Sequence, residues 1–194
     1  LPNSAVKIGS FCFYKCDKLE ELSFGASTRI TELSGAIFEG TAISRFTVAN
    51  ENEAYRVSAD GHLLLNNAGD TVILAATAYP FGNYTLDAAY RKIGDGAFAG
   101  TKIISLTVTN PNTEIGSYAF ARCTALEQVI LPENGNVTIG AQAFRYAEKL
   151  TGVSGLAYVG RIGDYAFANA GLASATIAAG ADCGEGAFYS SKLE

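Results

Sequence analysis

The sequence predicts an α/β repeat solenoid: a right-handed superhelix with one parallel β-sheet, short helical turns and an inserted β-hairpin. Three observations carry this prediction: a motif that recurs along almost the whole chain, a short strand pattern that follows it, and one long gap in the series. A unit with a single short strand cannot bury its own apolar face, whereas stacked copies share a continuous core. We therefore expect a single domain over residues 1–194, with about seven repeats of which the last is incomplete.

The recurring motif has six positions. An aliphatic residue is followed by a residue that is usually Gly, then by three residues of which the last is mostly Ala, and then by Phe. Seven of the eleven Phe residues fall in one column. Gly is expected to adopt backbone angles that side chains forbid. The Ala-Phe segment predicts a short helical turn whose Phe fills the interior as one rung of a ladder. The seven copies are 8–13, 33–38, 93–98, 115–120, 139–144, 162–167 and 183–188.

A second pattern, apolar-x-x-apolar-x-apolar, begins five or six residues after most of these Phe residues. Its last four positions alternate apolar and variable residues, which is the period-2 signature of a strand with one buried face. The copy at 150–155 is the weakest, because Gly152 and Gly155 stand where a strand prefers side chains. The copy at 172–177 is built of smaller residues, and the remaining copies are 19–24, 43–48, 103–108 and 126–131.

Together the two patterns resemble the BspA-like leucine-rich repeat family over nearly the whole chain. The shared order is Ile-Gly-x-x-Ala-Phe, a small residue three positions after Phe, then Leu-x-x-aliphatic-x-aliphatic. Three departures stand out: Ser34 replaces Gly, Cys183 replaces Ile, and Pro follows the strand clearly only at Pro132. The resemblance implies a leucine-rich repeat domain of a bacterial cell-surface or secreted protein, with a role in adhesion and a host or matrix protein as its partner.

The gap in the series predicts an insertion over about 49–92. Asp60-Gly61 is a hairpin signal within it. Two interpretations stay open: a β-hairpin that replaces one coil and keeps stacking, or a protruding binding element. We favour stacking, because aromatic residues more often pack than bind. The residues that a protruding element would present are Tyr55, Arg56, Tyr79 and Phe81.

Composition excludes several classes of protein. The net charge is −5, and 14 basic residues without a basic run make a poor nucleic-acid binder. No apolar run approaches the ~20 residues of a membrane span, so this segment is not expected to insert into a membrane. The chain has no Met, and no targeting signal begins at Leu1, so we expect an excised or processed piece.

The sequence contains no constellation typical of catalysis, and we expect no enzyme, no cofactor and no metal. His62, the only histidine, is predicted to be a solvated turn residue, because a lone histidine in a turn is far more often solvated than catalytic. No second histidine is present to activate a Ser or Cys. The cysteines fall on repeat columns and are predicted to be small buried hydrophobes without disulfide or zinc. They are Cys12, Cys16, Cys123 and Cys183.

The outward strand positions form the candidate binding surface. Their side chains are small and hydroxyl-rich without an aromatic platform, which makes carbohydrate a less attractive ligand for this surface. Two classes of function stay open: a module that binds a protein across this surface, or a structural spacer that presents another domain and has no ligand of its own. The predicted protein-binding residues are Arg45, Thr47, Ser105, Thr107, Gln128 and Ile130.

Overall fold

A computed structural model describes residues 7–9, 12–28, 30, 32, 33 and 37–193. In this part the chain winds into stacked coils, most of which contribute a longer strand, a two-residue strand and a turn that carries Phe. The strands are β1 Lys7–Ile8, β2 Glu21–Phe24, β3 Glu32–Leu33, β4 Arg45–Val48, β5 Tyr55–Val57, β6 Leu63–Asn66, β7 Thr71–Ala75, β8 Asn83–Leu86, β9 Lys92–Ile93, β10 Ser105–Val108, β11 Glu114–Ile115, β12 Gln128–Ile130, β13 Thr138–Ile139, β14 Gly152–Ser154, β15 Arg161–Ile162 and β16 Asp182–Cys183.

The strands form two faces of the solenoid rather than the single parallel sheet expected. On the first face, β8, β10, β12 and β14 form a parallel four-stranded sheet, and β2 pairs in parallel with β4. On the second face, the two-residue strands from β9 to β16 pair in parallel and continue into the antiparallel strands β5 to β7. The dipeptide that ends at the motif's first residue is therefore extended and pairs with its neighbour, which the sequence pattern did not indicate.

The Phe-bearing turns are not helical, so the expectation of short helical turns is wrong. Each of the five turns from Phe98 to Phe188 contains two residues with left-handed backbone angles, for example Tyr118 and Arg122, both with φ of 57°. A right-handed helix cannot pass through such residues. Alternate N–H groups instead leave the turn, and those of Tyr118 and Phe120 donate to the carbonyls of Ala141 and Ala143 in the next coil at 2.9 and 2.8 Å. The one helical element in the described residues is the 3₁₀ turn Leu156–Tyr158.

The glycine at the second motif position allows the backbones of neighbouring coils to lie close together. A Cβ at Gly140 would lie 2.6 Å from the backbone nitrogen of Ser117 in the preceding coil, a separation at which the backbone would have to move. Gly140 does not have a positive φ, so the predicted need for unusual backbone angles is wrong. Gly9, in the first described coil, has nothing within 4 Å of a Cβ. The replacement at Ser34 lies outside the described residues.

The Phe column forms the centre of the core. The rings of Phe120 and Phe144 are fully buried, as predicted, and their centroids lie 5.3 Å apart with an angle of 4° between the planes. The stack continues on both sides at 5.0 to 5.4 Å, to Phe98 in one direction and through Phe167 to Phe188 in the other. Ring stacking therefore connects five successive turns.

The insertion stacks inside the solenoid, which agrees with the favoured interpretation. Strands β5 and β6 are antiparallel around the Asp60-Gly61 turn, as predicted. Both faces of β6 are buried: Leu63 and Leu65 pack into the core that contains the later coils, whereas Leu64 packs into the core of the first coils. Strand β7 then pairs in parallel with β9, which returns the chain to the register of the coils.

The last strand copy departs from the prediction. Residues 172–177 form no strand, whereas the copy expected to be weakest contains β14. Leu172 of the last copy is fully buried, but Ile177 is exposed. In the described part no further coil packs against 172–177, so the small side chains there have no strand to pair with on the outer side.

All four cysteines are free, but only one is buried. Cys123 lies between neighbouring coils, and burial raises the pKa of its thiol to about 12. Cys12, Cys16 and Cys183 are exposed, because they lie in the first and last described coils, which have no described neighbour on one side. The prediction of buried cysteines is therefore correct for Cys123 alone.

Candidate binding surface

The six predicted binding residues fall into two groups. On β10 and β12, Ser105 lies opposite Gln128, and Thr107 lies opposite Ile130. These four side chains therefore share one continuous surface. The other two, Arg45 and Thr47, lie on β4, in the separate two-stranded sheet.

The insertion separates the two groups. The N–H of Phe46 donates to the carbonyl of Gly61 at 3.0 Å, so the turn between β5 and β6 lies against β4. On the other side, β8 pairs with β10 in parallel and places Asn83 opposite Ser105. A sequence row that puts Arg45 next to Ser105 omits these intervening segments.

The surface of β10 and β12 contains two exposed isoleucines. Ile130 is 37% exposed, and Ile104, which immediately precedes β10, is 43% exposed. Sequence reasoning missed Ile104 because it occupies a variable position of the strand pattern, where its residue type was not considered. We call Ile104, Ser105, Thr107, Gln128 and Ile130 the β10–β12 patch.

The polar groups on β4 bind to their neighbours on β2. The guanidinium of Arg45 lies 3.2 Å from the carboxylate of Glu21, and both side chains are well exposed. The hydroxyl of Thr47 donates to the hydroxyl of Ser23 at 2.8 Å. An exposed ion pair of this kind contributes little to stability. It does, however, occupy Arg45 and so reduces what that side chain can offer to a ligand.

The second face carries paired charges along its two-residue strands. Lys92 Nζ lies 2.6 Å from Glu114 Oε1, and Arg161 Nε lies 3.6 Å from Asp182 Oδ2. A polar groove of about 420 Å³ runs beside them. In the residues that the structure describes, no group of three His, Cys, Asp or Glu side chains could hold a metal ion.

His62 packs between two coils rather than standing in solvent as predicted. Its ring stacks on Tyr79 with a centroid separation of 3.5 Å, and its Nδ1 lies 2.8 Å from the carbonyl oxygen of Ser44. The side chain therefore helps to join the insertion to the preceding coil.

The family model of the BspA type leucine-rich repeat region matches six copies in this chain, over residues 1–59 and 78–194. The chain belongs to this family. The match leaves out only part of the insertion, where β6 and β7 replace a regular coil. No match to the curated proteins is found.

Solved structures share the leucine-rich repeat fold. The pneumococcal vaccine antigen PcpA aligns with a TM-score of 0.58 at 20% identity, over 86% of this chain and 42% of that one. A leucine-rich cell surface protein from Faecalibacterium prausnitzii A2-165 aligns with a TM-score of 0.56 at 19% identity, over 98% of this chain and 52% of that one. A leucine-rich repeat protein from Eubacterium ventriosum ATCC 27560 aligns with a TM-score of 0.50 at 17% identity, over 100% of this chain and 64% of that one. The chain thus spans about half the length of these proteins. The described residues include no helix of the length and apolarity that crossing a bilayer requires.

Proposed function

We propose that the chain is a non-enzymatic module of a bacterial cell-surface or secreted protein, and that it binds a host or matrix protein across the β10–β12 patch. The observation that carries this proposal is the exposed Ile130, which lies opposite Thr107 among short polar side chains of a regular sheet, with a second exposed isoleucine, Ile104, directly before β10. Family membership and the cell-surface description of one structural neighbour support the location.

The chemistry of the patch suits a protein ligand. Burying an aliphatic side chain of this size contributes about 1.5–3 kcal/mol, and interface energy concentrates in a few such anchors surrounded by groups that exclude water. The short hydroxyl side chains of Ser105 and Thr107 have little rotamer entropy to lose on binding. Arg45 and Thr47 extend the proposed surface only for a ligand long enough to cross β8 and the turn at Gly61.

The test is capture of extracellular-matrix and serum proteins on the immobilised chain, followed by affinity measurement with a captured protein. We expect Ile130→Asp to weaken binding at least about tenfold, or ~1.4 kcal/mol. Ile177→Asp is the matched control, because Ile177 is equally exposed at 37% but lies outside the patch. Arg45→Glu, made separately, shows whether the ligand reaches β4.

Three outcomes decide between the candidates. Selective loss of binding in Ile130→Asp supports the patch. Normal binding by that variant, combined with loss after residues 49–92 are replaced by an ordinary coil of unchanged melting temperature, places the site on the insertion. Equal behaviour of all variants and the wild type contradicts the proposal and favours the structural spacer.

A further inference from the structure

The face formed by the Phe-bearing turns, here called the turn face, differs chemically from both strand faces. Two repeat positions on this face, which we call columns, have left-handed backbone angles. The first column is the residue two positions before the motif's Phe, and the second column is the residue two positions after it. In three consecutive coils these columns hold large polar or aromatic side chains with φ between 54° and 60°. They are Tyr118, Arg122, Gln142, Tyr146, Tyr165 and Asn169.

Glycine is common at the same positions in other coils, although Lys15 and Ser190 stand in the second column of the first and last described turns. Gly96 and Gly186 occupy the first column, and Gly40 and Gly100 occupy the second, all with positive φ. Glycine adopts these angles freely, whereas a side chain is strained there. The fold therefore does not require tyrosine at these sites, and strained residues of this kind cluster at functional sites.

The tyrosine rings of the central coils are held by hydrogen bonds. Gln142 Nε2 donates to Tyr118 Oη at 2.5 Å, and Arg145 Nη2 donates to Tyr146 Oη at 3.1 Å. Arg145 also donates to Gln142 Oε1, which joins the two pairs into one network. Tyr118 is nevertheless 42% exposed, so a fixed aromatic ring faces solvent.

A third ring is fixed in the same way. Tyr165 Oη donates to Glu185 Oε1 at 2.8 Å. The ring lies so close to Gly186 that a Cβ there would be 2.6 Å from Tyr165 Cε1. Glycine in the following coil thus provides the space in which this ring lies against the backbone.

A shallow depression of about 510 Å³ adjoins the Tyr146 ring. Glu39, Arg122 and Glu148 border it, and Arg122 Nη1 lies 3.4 Å from Glu39 Oε1. The guanidinium carbon of Arg122 is 5.8 Å from the centre of the Tyr146 ring. The guanidinium carbon of Arg145 lies over the same ring at 4.8 Å from its centre. The depression therefore offers donors and acceptors beside a ring that is already in contact with guanidinium groups.

This combination fits a sugar better than a protein. Aromatic rings attract polarised C–H groups through their negative faces, and planar guanidinium, amide and carboxylate groups pair with neighbouring hydroxyls. The large apolar side chains exposed on the described turn face are tyrosines, whereas the exposed isoleucines Ile104 and Ile130 lie at the strand face. The carboxylate of Glu39 balances the charge of Arg122, and Glu148 borders the same depression, which favours a neutral ligand over an anionic one.

We propose that the turn face binds a neutral polysaccharide chain that runs along the solenoid axis over Tyr118 and Tyr165 and past the polar groups around Tyr146. Tyr118 and Tyr165 occupy the same column two coils apart, about 10 Å at the strand spacing of ~4.8 Å. Only a chain of several sugar units can contact both rings, so oligosaccharides bind and the corresponding monosaccharides do not.

The test is titration of the chain with cellohexaose, maltohexaose and mannohexaose. Binding is measured by the change in tyrosine fluorescence and by calorimetry. The chain contains ten Tyr and no Trp, so its fluorescence comes from tyrosine alone, and the variants show which rings respond. The double variant Tyr118→Gly with Tyr165→Gly places in each position a residue that the same column already contains in other coils, and we expect it to fold. Tyr158→Ala is the matched control, since Tyr158 is 49% exposed but lies in the 3₁₀ turn.

We expect at least one hexasaccharide to bind with a Kd at or below about 1 mM, the double variant to bind at least tenfold more weakly, and the control to bind as the wild type does. Absence of binding by all three hexasaccharides, or unchanged binding by the double variant, overturns the proposal. Tighter binding of polygalacturonate contradicts the neutral ligand, and loss of a captured protein in the double variant assigns the face to protein.

Discussion

At the second motif position, glycine allows the backbone of one coil to lie against the backbone of the coil before it. The contact at Gly140 is with main-chain atoms of Ser117 and Gly116, which cannot rotate away as a side chain could. Gly9 occupies the same motif position in a coil with no described neighbour on that side. A comparison of the two glycines therefore tests whether glycine is required by contact with the neighbouring coil or by the conformation of the motif itself.

We expect Gly140→Ala to lower the free energy of unfolding by about 1–3 kcal/mol, because the added methyl group overpacks a fixed backbone contact. Gly9→Ala should change it by no more than about 0.5 kcal/mol. Urea unfolding followed by circular dichroism measures both. Equal losses in the two variants would contradict the close-approach explanation.

The position of a residue within the repeat predicts whether its side chain points inward, but it does not predict whether a coil packs on both sides of it. Cys123 and Cys183 both fall on inward columns, yet one thiol is buried and the other exposed, because burial requires a coil on each side. The left-handed angles at Tyr118 and Arg122 were also beyond sequence reasoning. Only glycine signals such angles, and five of the described coils hold a side chain at one or both of these columns instead.

The Phe-bearing turn is the element that holds successive coils together. The turns of Phe120, Phe144 and Phe167 each stack a ring on two neighbours and donate alternate N–H groups to the next coil, as Phe144 does to the carbonyl of Ala166 at 2.7 Å. The terminal turns keep only one of these interfaces. Phe188 stacks on Phe167 alone and is only half-buried.

Phe144→Ala should therefore cost about 3–5 kcal/mol of unfolding free energy, the range for truncation of a buried aromatic residue. Phe188→Ala, in the same column, should cost clearly less because one side of its ring has no stacking partner. Thermal and urea unfolding of both variants test the difference. A cost for Phe188→Ala that matches Phe144→Ala would mean that stacking on both sides does not determine the stability of a turn.

Among the elements, those with a local sequence signal could be predicted. The alternating pattern located β2, β4, β10 and β12, and Asp60-Gly61 located the turn between β5 and β6. The two-residue strands gave no signal because they are too short to show a period. The turns were predicted to be helical because the two left-handed residues of each turn stand four positions apart, on either side of an Ala-Phe segment that suits a helix equally well.

At the scale of the whole molecule, β6 and β7 divide the interior into two cores. Leu64 and Leu74 face the core of the first coils, whereas Leu63 and Val72 face the larger core of the later coils. The same insertion explains why only part of the binding surface could be predicted. The repeat register placed Ser105 correctly beside Gln128, but it contained no information on how many strands the insertion adds between β4 and β10.

Because each coil contacts only its neighbours, stability should be highest in the coils furthest from an end. The amides of Phe144 and Asn169 make similar hydrogen bonds to the next coil, at 2.7 Å to Ala166 and 2.9 Å to Tyr189. We nevertheless expect slower hydrogen exchange at Phe144, because the coil that accepts the bond from Asn169 has no described neighbour on its other side. Native-state exchange followed by mass spectrometry measures the two rates. Equal rates at both amides would show that the coils open as one cooperative block and not progressively from the end.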